Sequence, residues 1–320
     1  MGFTTPHRTF TCMNPIRTLF HCLLLFFGLT FCTQPIHAQD HAWWAENVGW
    51  DGDSHWREYL IYAPRYLGPN ALPIPPMAWG RPAEEHAITL SGHHHRAAGD
   101  HTWNPGITAR YAAVPGRITF EAYYVPIEYY RTSHEWKTER SVFHIFYEDQ
   151  TAHGDFHLRT NVRLWEETER RPGISLRVGY RLASSNKVGA ARFTDAPGYH
   201  FALSAGKDLF PASRIRWRGA VMAGMYVWQT NQPIHVQNDG ILAGMGLRAG
   251  TDRWTAELVG RGYFGYLNNG DRPVAVSLQL ERSWGDWSGF LRVQEGVGDL
   301  VYAQFSCGVT RRFTVQGNLN

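Results

Sequence analysis

Ile174-Ser175-Leu176-Arg177-Val178-Gly179-Tyr180-Arg181-Leu182 decides the fold of this chain. Ile174, Leu176, Val178, Tyr180 and Leu182 fall on one side of an extended backbone. Ser175, Arg177, Gly179, Arg181 and Ala183 fall on the other. A period of two with one apolar face is the pattern of a strand, and the run has the ~9–11 residues a transmembrane strand needs. The pattern recurs elsewhere. Phe156, Leu158, Thr160, Val162 and Leu164 oppose His157, Arg159, Asn161, Arg163 and Trp165, and Trp254, Ala256, Leu258 and Gly260 oppose Arg253, Thr255, Glu257, Val259 and Arg261. A soluble sandwich has the same period, so the connections must separate the two folds.

Outward from this stretch, alternation predicts strands over 86–95, 104–114, 117–127, 155–165, 174–184, 198–207, 214–228, 239–249, 253–266, 273–284, 287–294 and 300–313. Compact connections at 114–116, 209–213, 250–252 and 285–286, with a moderate one at 166–173, alternate with longer ones at 96–103, 128–154, 185–197, 230–238 and 267–272. Only the last long-side connection, 295–299, is short. Short periplasmic turns alternating with longer outer loops mark an outer-membrane barrel. The expectation is an all-β chain, an antiparallel transmembrane β-barrel of about twelve strands over 86–320. Trp165, Trp217, Trp254, Trp284 and Trp287 lie at strand ends beside the short turns, where an interfacial girdle belongs.

Residues 1–38 read as a signal peptide. Arg8 and Arg17 precede an apolar run, 19–29, and Ile36-His37-Ala38 offers a cleavage point. Removal takes two basic residues and no acidic ones, leaving 29 basic and 28 acidic. That balance argues against a nucleic-acid partner. Cys12, Cys22 and Cys32 leave with the signal, so Cys307 has no intramolecular disulfide partner. Mean hydropathy is −0.36, as expected where every second strand residue faces a polar lumen.

Residues 39–85 form a separate extension. They hold Trp43, Trp44, Trp50, Trp56 and Trp79, with Pro69, Pro73, Pro75, Pro76 and Pro82. Prolines at this density forbid ladder pairing. The expectation is an irregular segment with one short strand over 58–63, its aromatics packed in the lumen as a plug or at the periplasmic mouth.

Over 39–320 the chain resembles outer-membrane barrels of Bacteroidota. Its most specific pieces are Gly68-Pro69-Asn70-Ala71-Leu72-Pro73 and Ala191-Arg192-Phe193-Thr194-Asp195-Ala196-Pro197-Gly198-Tyr199. That family carries no assigned activity, so the resemblance implies the outer membrane of a Gram-negative cell and leaves function open.

The lumen phase holds Arg159, Arg163, Arg177, Arg181, Arg216, Arg218, Arg253, Arg261 and Arg292, with Glu121, Glu257 and Glu281. Fixed charges of one sign favour anions in a water-filled eyelet. Paired with the glutamates, the same residues fill a solid interior. His93-His94-His95 places two imidazoles on one strand face, too few for a structural zinc site. Gly52-Asp53-Ser54-His55 resembles the nucleophile block of GDS-type esterases, but no buried strand precedes it and no α/β pattern follows. His134, His144, His153, Asp149, Asp155, Ser184, Ser185, His200 and His235 are the rim residues available to a lipid or lipopolysaccharide hydrolase. No motif implies a cofactor or a metal.

Three readings follow. The first is a barrel passing or binding small polar, anionic solutes. The second is an outer-membrane hydrolase, and the third a binding or assembly component whose extension docks on a periplasmic partner. In all three the surrounding lipid is a partner.

Overall fold

A computed structural model describes residues 42–143 and 149–313. The predicted signal segment, with Cys12, Cys22 and Cys32, lies outside the described residues, as does His144. Fourteen strands form one antiparallel sheet. They are β1 (His86–Ala97), β2 (Asp100–Val114), β3 (Ile118–Tyr124), β4 (Glu128–Thr132), β5 (Asp149–Ala152), β6 (His157–Trp165), β7 (Gly173–Arg181), β8 (Gly198–Asp208), β9 (Arg216–Gln229), β10 (Gln237–Gly250), β11 (Trp254–Phe264), β12 (Val274–Trp284), β13 (Trp287–Gly296) and β14 (Tyr302–Phe313). β1 pairs with β2 on one side and with β14 on the other, His86 opposite Phe313, so the sheet closes on itself. β4 and β5 stand outside the ring, and the other twelve strands make the wall.

The faces are inverted relative to a soluble protein. On β7, Val178 and Tyr180 are 49% and 46% exposed, while Arg177 and Arg181 are 9% and 2% exposed. Leaving a large apolar side chain in water forfeits about 1.5–3 kcal/mol, and Leu90, Leu158, Leu203, Leu278, Leu291 and Phe305 all face outward in this way. Closure leaves the wall no unpaired strand edge, the condition for strands in lipid. The barrel is transmembrane. Exposed Cys307 lies on its outer face.

Four details depart from the sequence pattern. The third strand does not run to 127. After Tyr124 the chain passes through Val125-Pro126-Ile127, where proline has no N–H for the ladder. It then pairs again with the far end of β2, as β4. The expected loop over 128–154 therefore contains the β4–β5 hairpin and α2 (His134–Glu139), which raise the wall above its rim. The expected loop over 96–103 is a tight turn, with Gly99 at φ 73° and Asp100 already paired to Ala97. A bulge between Arg163 and Trp165 shifts the phase, so Trp165 points outward, 60% exposed, instead of sharing the face of Arg163.

The extension forms no strand over 58–63. It consists of α1 (Ala42–Val48), 3-10 turns at Trp56–Tyr59 and Pro64–Tyr66, and a proline-rich stretch running down the barrel interior. Its hydrogen bonds trace the route. Near the long-loop end, the Trp228 indole donates to Tyr62 O (2.9 Å). Lower down, the Tyr263 hydroxyl donates to Leu72 O (2.8 Å). At the short-turn end, Arg218 Nε donates to Trp79 O (3.0 Å), and Gly116 N to Ala83 O (3.1 Å). Here the segment lies against bare wall backbone. A Cβ on Gly206 would come within 2.2 Å of Trp79 O, and one on Gly80 (φ +74°) within 2.3 Å of Gly206 N.

Candidate functional site

The lumen is the candidate site, and its two ends differ in kind. Toward the long loops it is packed solid. Leu60, Tyr62, Leu67 and Leu72 from the extension meet Phe193, Tyr226, Trp228, Leu242 and Tyr263. A charged cluster sits beside them. Arg192, fully buried, reaches Asp100 (2.7 Å), Glu128 (2.8 Å) and the Thr102 hydroxyl (2.7 Å), and its guanidinium lies 4.3 Å from the Tyr130 ring centroid. Arg140 also holds Asp100 (2.6 Å), and Asn70 donates to Glu128 (2.5 Å). The two motifs that carry the family resemblance meet here. Gly68 N donates to Ala191 O (2.9 Å), and a Cβ at residue 68 would stand 2.7 Å from Arg192 O.

Beside the proline stretch an unfilled cavity of about 510 Å³ runs along the inner wall, from Arg81 and Ala83 near the short turns to Leu300 and Pro273 near the long loops. Eight arginines line it (Arg81, Arg110, Arg159, Arg177, Arg181, Arg248, Arg261 and Arg292) with a single carboxylate, Glu121.

Five of these arginines have carboxylate partners. Arg159 and Arg110 share Glu121 (2.5 and 3.9 Å), Arg181 holds Asp155 (2.6 Å), Arg248 holds Glu257 (2.7 Å), and Arg81 is 3.9 Å from Asp208. The other three have none among the described residues. Arg177 donates to Asn161 Oδ1 (2.7 Å) and Pro76 O (2.5 Å). Arg261 donates to Gln294 Oε1 (3.0 Å) and Pro75 O (3.3 Å). Arg292 has a buried Nε without a partner. β12 presents Ala275 and Ser277 inward, small enough for Arg261 on β11 to reach across to β13. A polar ladder continues from there. Gln294 donates to Tyr302 (2.5 Å) and Gln304 (3.0 Å), and Gln304 to Ser306 (2.9 Å), which lies 2.9 Å from His93.

The residues expected from sequence divide by height in the wall. Arg159, Arg177, Arg181, Arg261 and Arg292 line the cavity. Arg218 is buried at its lower end between Glu167 (2.8 Å) and Asp208 (2.7 Å). Arg163 sits low beside Glu166 (3.3 Å). Glu257 pairs with Arg248, and Glu281 with Arg312 (2.5 Å). Arg216 and Arg253 are not in the lumen. Arg216, the first residue of β9, is 70% exposed at the rim beside Asp252, and Arg253 lies in the β10–β11 turn, outside the strands. Trp165, Trp254, Trp284 and Trp287 are exposed near the short turns, and Trp217 is half-buried there. The guanidinium of Arg282 lies over Trp254, and that of Arg311 over Trp287. Sequence reasoning missed Arg110 and Arg248, which share the inward phase of their strands, and Arg192, a loop residue with no periodic signal.

Of the histidine triplet, His93 and His95 line the cavity, while His94 points outward and stacks on Trp103 at 4.7 Å. Among the described residues no group of three or more His, Cys, Asp or Glu is placed to hold a metal ion. Asp155 is occupied by Arg181 and by the N–H groups of Ser184 (2.9 Å) and Ser185 (2.8 Å), and no described histidine is bonded to it. Gly52-Asp53-Ser54-His55 is a surface turn. The Ser54 hydroxyl donates to Asp51, which holds that carboxyl below its ordinary pKa, and His55 caps the following 3-10 turn.

No protein-family model and no curated protein matches this chain. Several solved structures are similar in fold. An outer-membrane channel from Pseudomonas putida F1 matches over 72% of this chain and 96% of its own, with 10% identity and a TM-score of 0.49. The NanC porin matches over 71% and 100%, with 9% identity and a TM-score of 0.45. The β-domain of the Bordetella autotransporter BrkA matches over 72% and 100%, with 12% identity and a TM-score of 0.43. The similarity is one of barrel architecture, too distant to compare sites.

Proposed function

We propose that this chain is an outer-membrane barrel of a Gram-negative cell that admits small anions to its lumen and passes them when the segment inside it shifts. The inverted faces and the closed wall support the location, and the two family motifs support a Bacteroidota origin. The observation that carries the function is the cavity lining of eight arginines and one carboxylate, in which Arg177, Arg261 and Arg292 have no carboxylate partner. Buried guanidinium groups with only neutral acceptors are poorly compensated, and a mobile anion supplies what the wall does not. The packed long-loop end keeps the resting conductance low.

The refolded chain in a planar bilayer under a salt gradient tests this. A small, anion-selective current is expected. It should grow in Gly206→Leu, whose side chain enters the space of Trp79 O. A folded barrel silent in both forms, or a cation-selective current, refutes the proposal.

A further inference from the structure

Among the extension carbonyls that accept from barrel side chains, five between Tyr62 and Trp79 are held differently. Tyr62 O and Leu72 O accept from neutral groups, Trp228 and Tyr263. Trp79 O accepts from Arg218, whose charge Glu167 and Asp208 already balance. Pro75 O and Pro76 O accept from Arg261 and Arg177, whose other acceptors are the amide oxygens of Gln294 and Asn161. Arg292 adds a third guanidinium with no carboxylate in ion-pair contact among the described residues, and Arg261 faces it as well as Arg159 and Arg177.

The sequence of the segment suits this role. Pro73, Pro75 and Pro76 have no N–H. That part of the chain therefore presents carbonyl oxygens with few donors among them, the hydrogen-bonding character of an anion without the charge. The cavity lies directly alongside, and Pro75, Pro76, Arg177, Arg261 and Arg292 all line it.

Resting on the anion reading above, we infer that the Pro75-Pro76 carbonyls occupy a site for small oxyanions, carboxylates or phosphates, as an internal competitor, so that an oxyanion taking Arg177 and Arg261 releases the segment. The exchange favours the anion locally because an oxyanion adds its own charge and a bidentate pair of hydrogen bonds, where each carbonyl accepts a single bond from its guanidinium. It proceeds without unfolding the wall, because neither arginine contributes to a ladder bond through its side chain. The segment stays tethered through Arg218 and Tyr263, so the released part is the short run between Leu72 and Trp79.

The test uses the full chain in lipid vesicles, with Cys12, Cys22, Cys32 and Cys307 replaced by serine and Ile74→Cys reporting on the segment. Met77→Cys serves as a second reporter in case the first disturbs folding. The rate of reaction with a water-soluble maleimide is followed while inorganic phosphate, and separately succinate, replaces chloride at constant ionic strength. Calorimetry measures binding in parallel. The expected result is a saturable rise in rate of at least about fivefold, at the concentrations where calorimetry shows binding. The Arg177→Gln/Arg261→Gln chain should react at the raised rate without any oxyanion and show no further response. Saturable binding with an unchanged rate in both reporters overturns the competition and leaves the anion-binding lumen standing. Absence of binding by either oxyanion overturns both.

Discussion

Arg192→Met should be among the most destabilising single substitutions in this barrel. Arg192 is fully buried, 2.7 Å from Asp100 and 2.8 Å from Glu128, and Met keeps much of its volume. Removing one partner of a buried charged network costs about 3–5 kcal/mol, because the charges left behind are uncompensated. The two carboxylates are not left equally. Asp100 retains Arg140 at 2.6 Å, whereas Glu128 retains the neutral Asn70 amide. Most of the loss is therefore assigned to Glu128, and adding Glu128→Gln should recover about 2 kcal/mol by removing the orphaned charge. Guanidinium unfolding in phospholipid vesicles, followed by tryptophan fluorescence, measures both. A single variant within ~1 kcal/mol of the parent, the value of a surface ion pair, would refute the reasoning. So would a double variant no more stable than the single one.

Other substitutions separate the parts of the structure. Val178→Arg places a charge on the lipid face of β7 and should cost about 2–4 kcal/mol in the same unfolding experiment, whereas Thr89→Ser on the lumen face should change stability by less than about 1 kcal/mol. Arg292→Gln should reduce the anion preference of the current, read as a shift in reversal potential toward zero. Arg216→Gln and Arg253→Gln should leave the preference unchanged, because both arginines stand at the rim; an equal effect from all three would count against the lumen site. Gly206→Leu should make the stretch around Trp79-Gly80 more susceptible to added protease while the heat-modifiable band of the barrel persists on gels.

Where side-chain alternation is the whole signal, the sequence was legible. β7 shows it most plainly, with Arg177 and Arg181 inward and Val178 and Tyr180 outward as the pattern requires. The tryptophan girdle positions and the alternation of turns and loops rested on the same regularity. It failed where one residue breaks the period. Pro126 splits the third strand, and the bulge beside Trp165 reverses its side. It also failed at Arg216 and Arg253, which keep the alternating spacing but lie where strands give way to turns. The route of the extension was out of reach for a different reason. It is fixed by main-chain carbonyls meeting arginine, tyrosine and tryptophan donors, and the identity of a residue says little about where its carbonyl points. The Arg192 cluster joins residues from a loop, the extension and two strands, a juxtaposition no local pattern announces.

An even number of wall strands returns both ends of a barrel to one side of the membrane, and here His86 and Phe313 are paired neighbours. The extension changes that parity. Its α1 packs by the Trp44 indole against Ser141 O, beyond α2 at the long-loop end, while Ala83 lies by the Gly116 turn at the other. The polypeptide therefore traverses the bilayer thirteen times, once through the inside of the other twelve. Ala42 and Phe313 face opposite compartments. The ring also closes on β1, the strand that follows this inner passage, so the β1–β14 seam stands directly after the inner crossing in the chain.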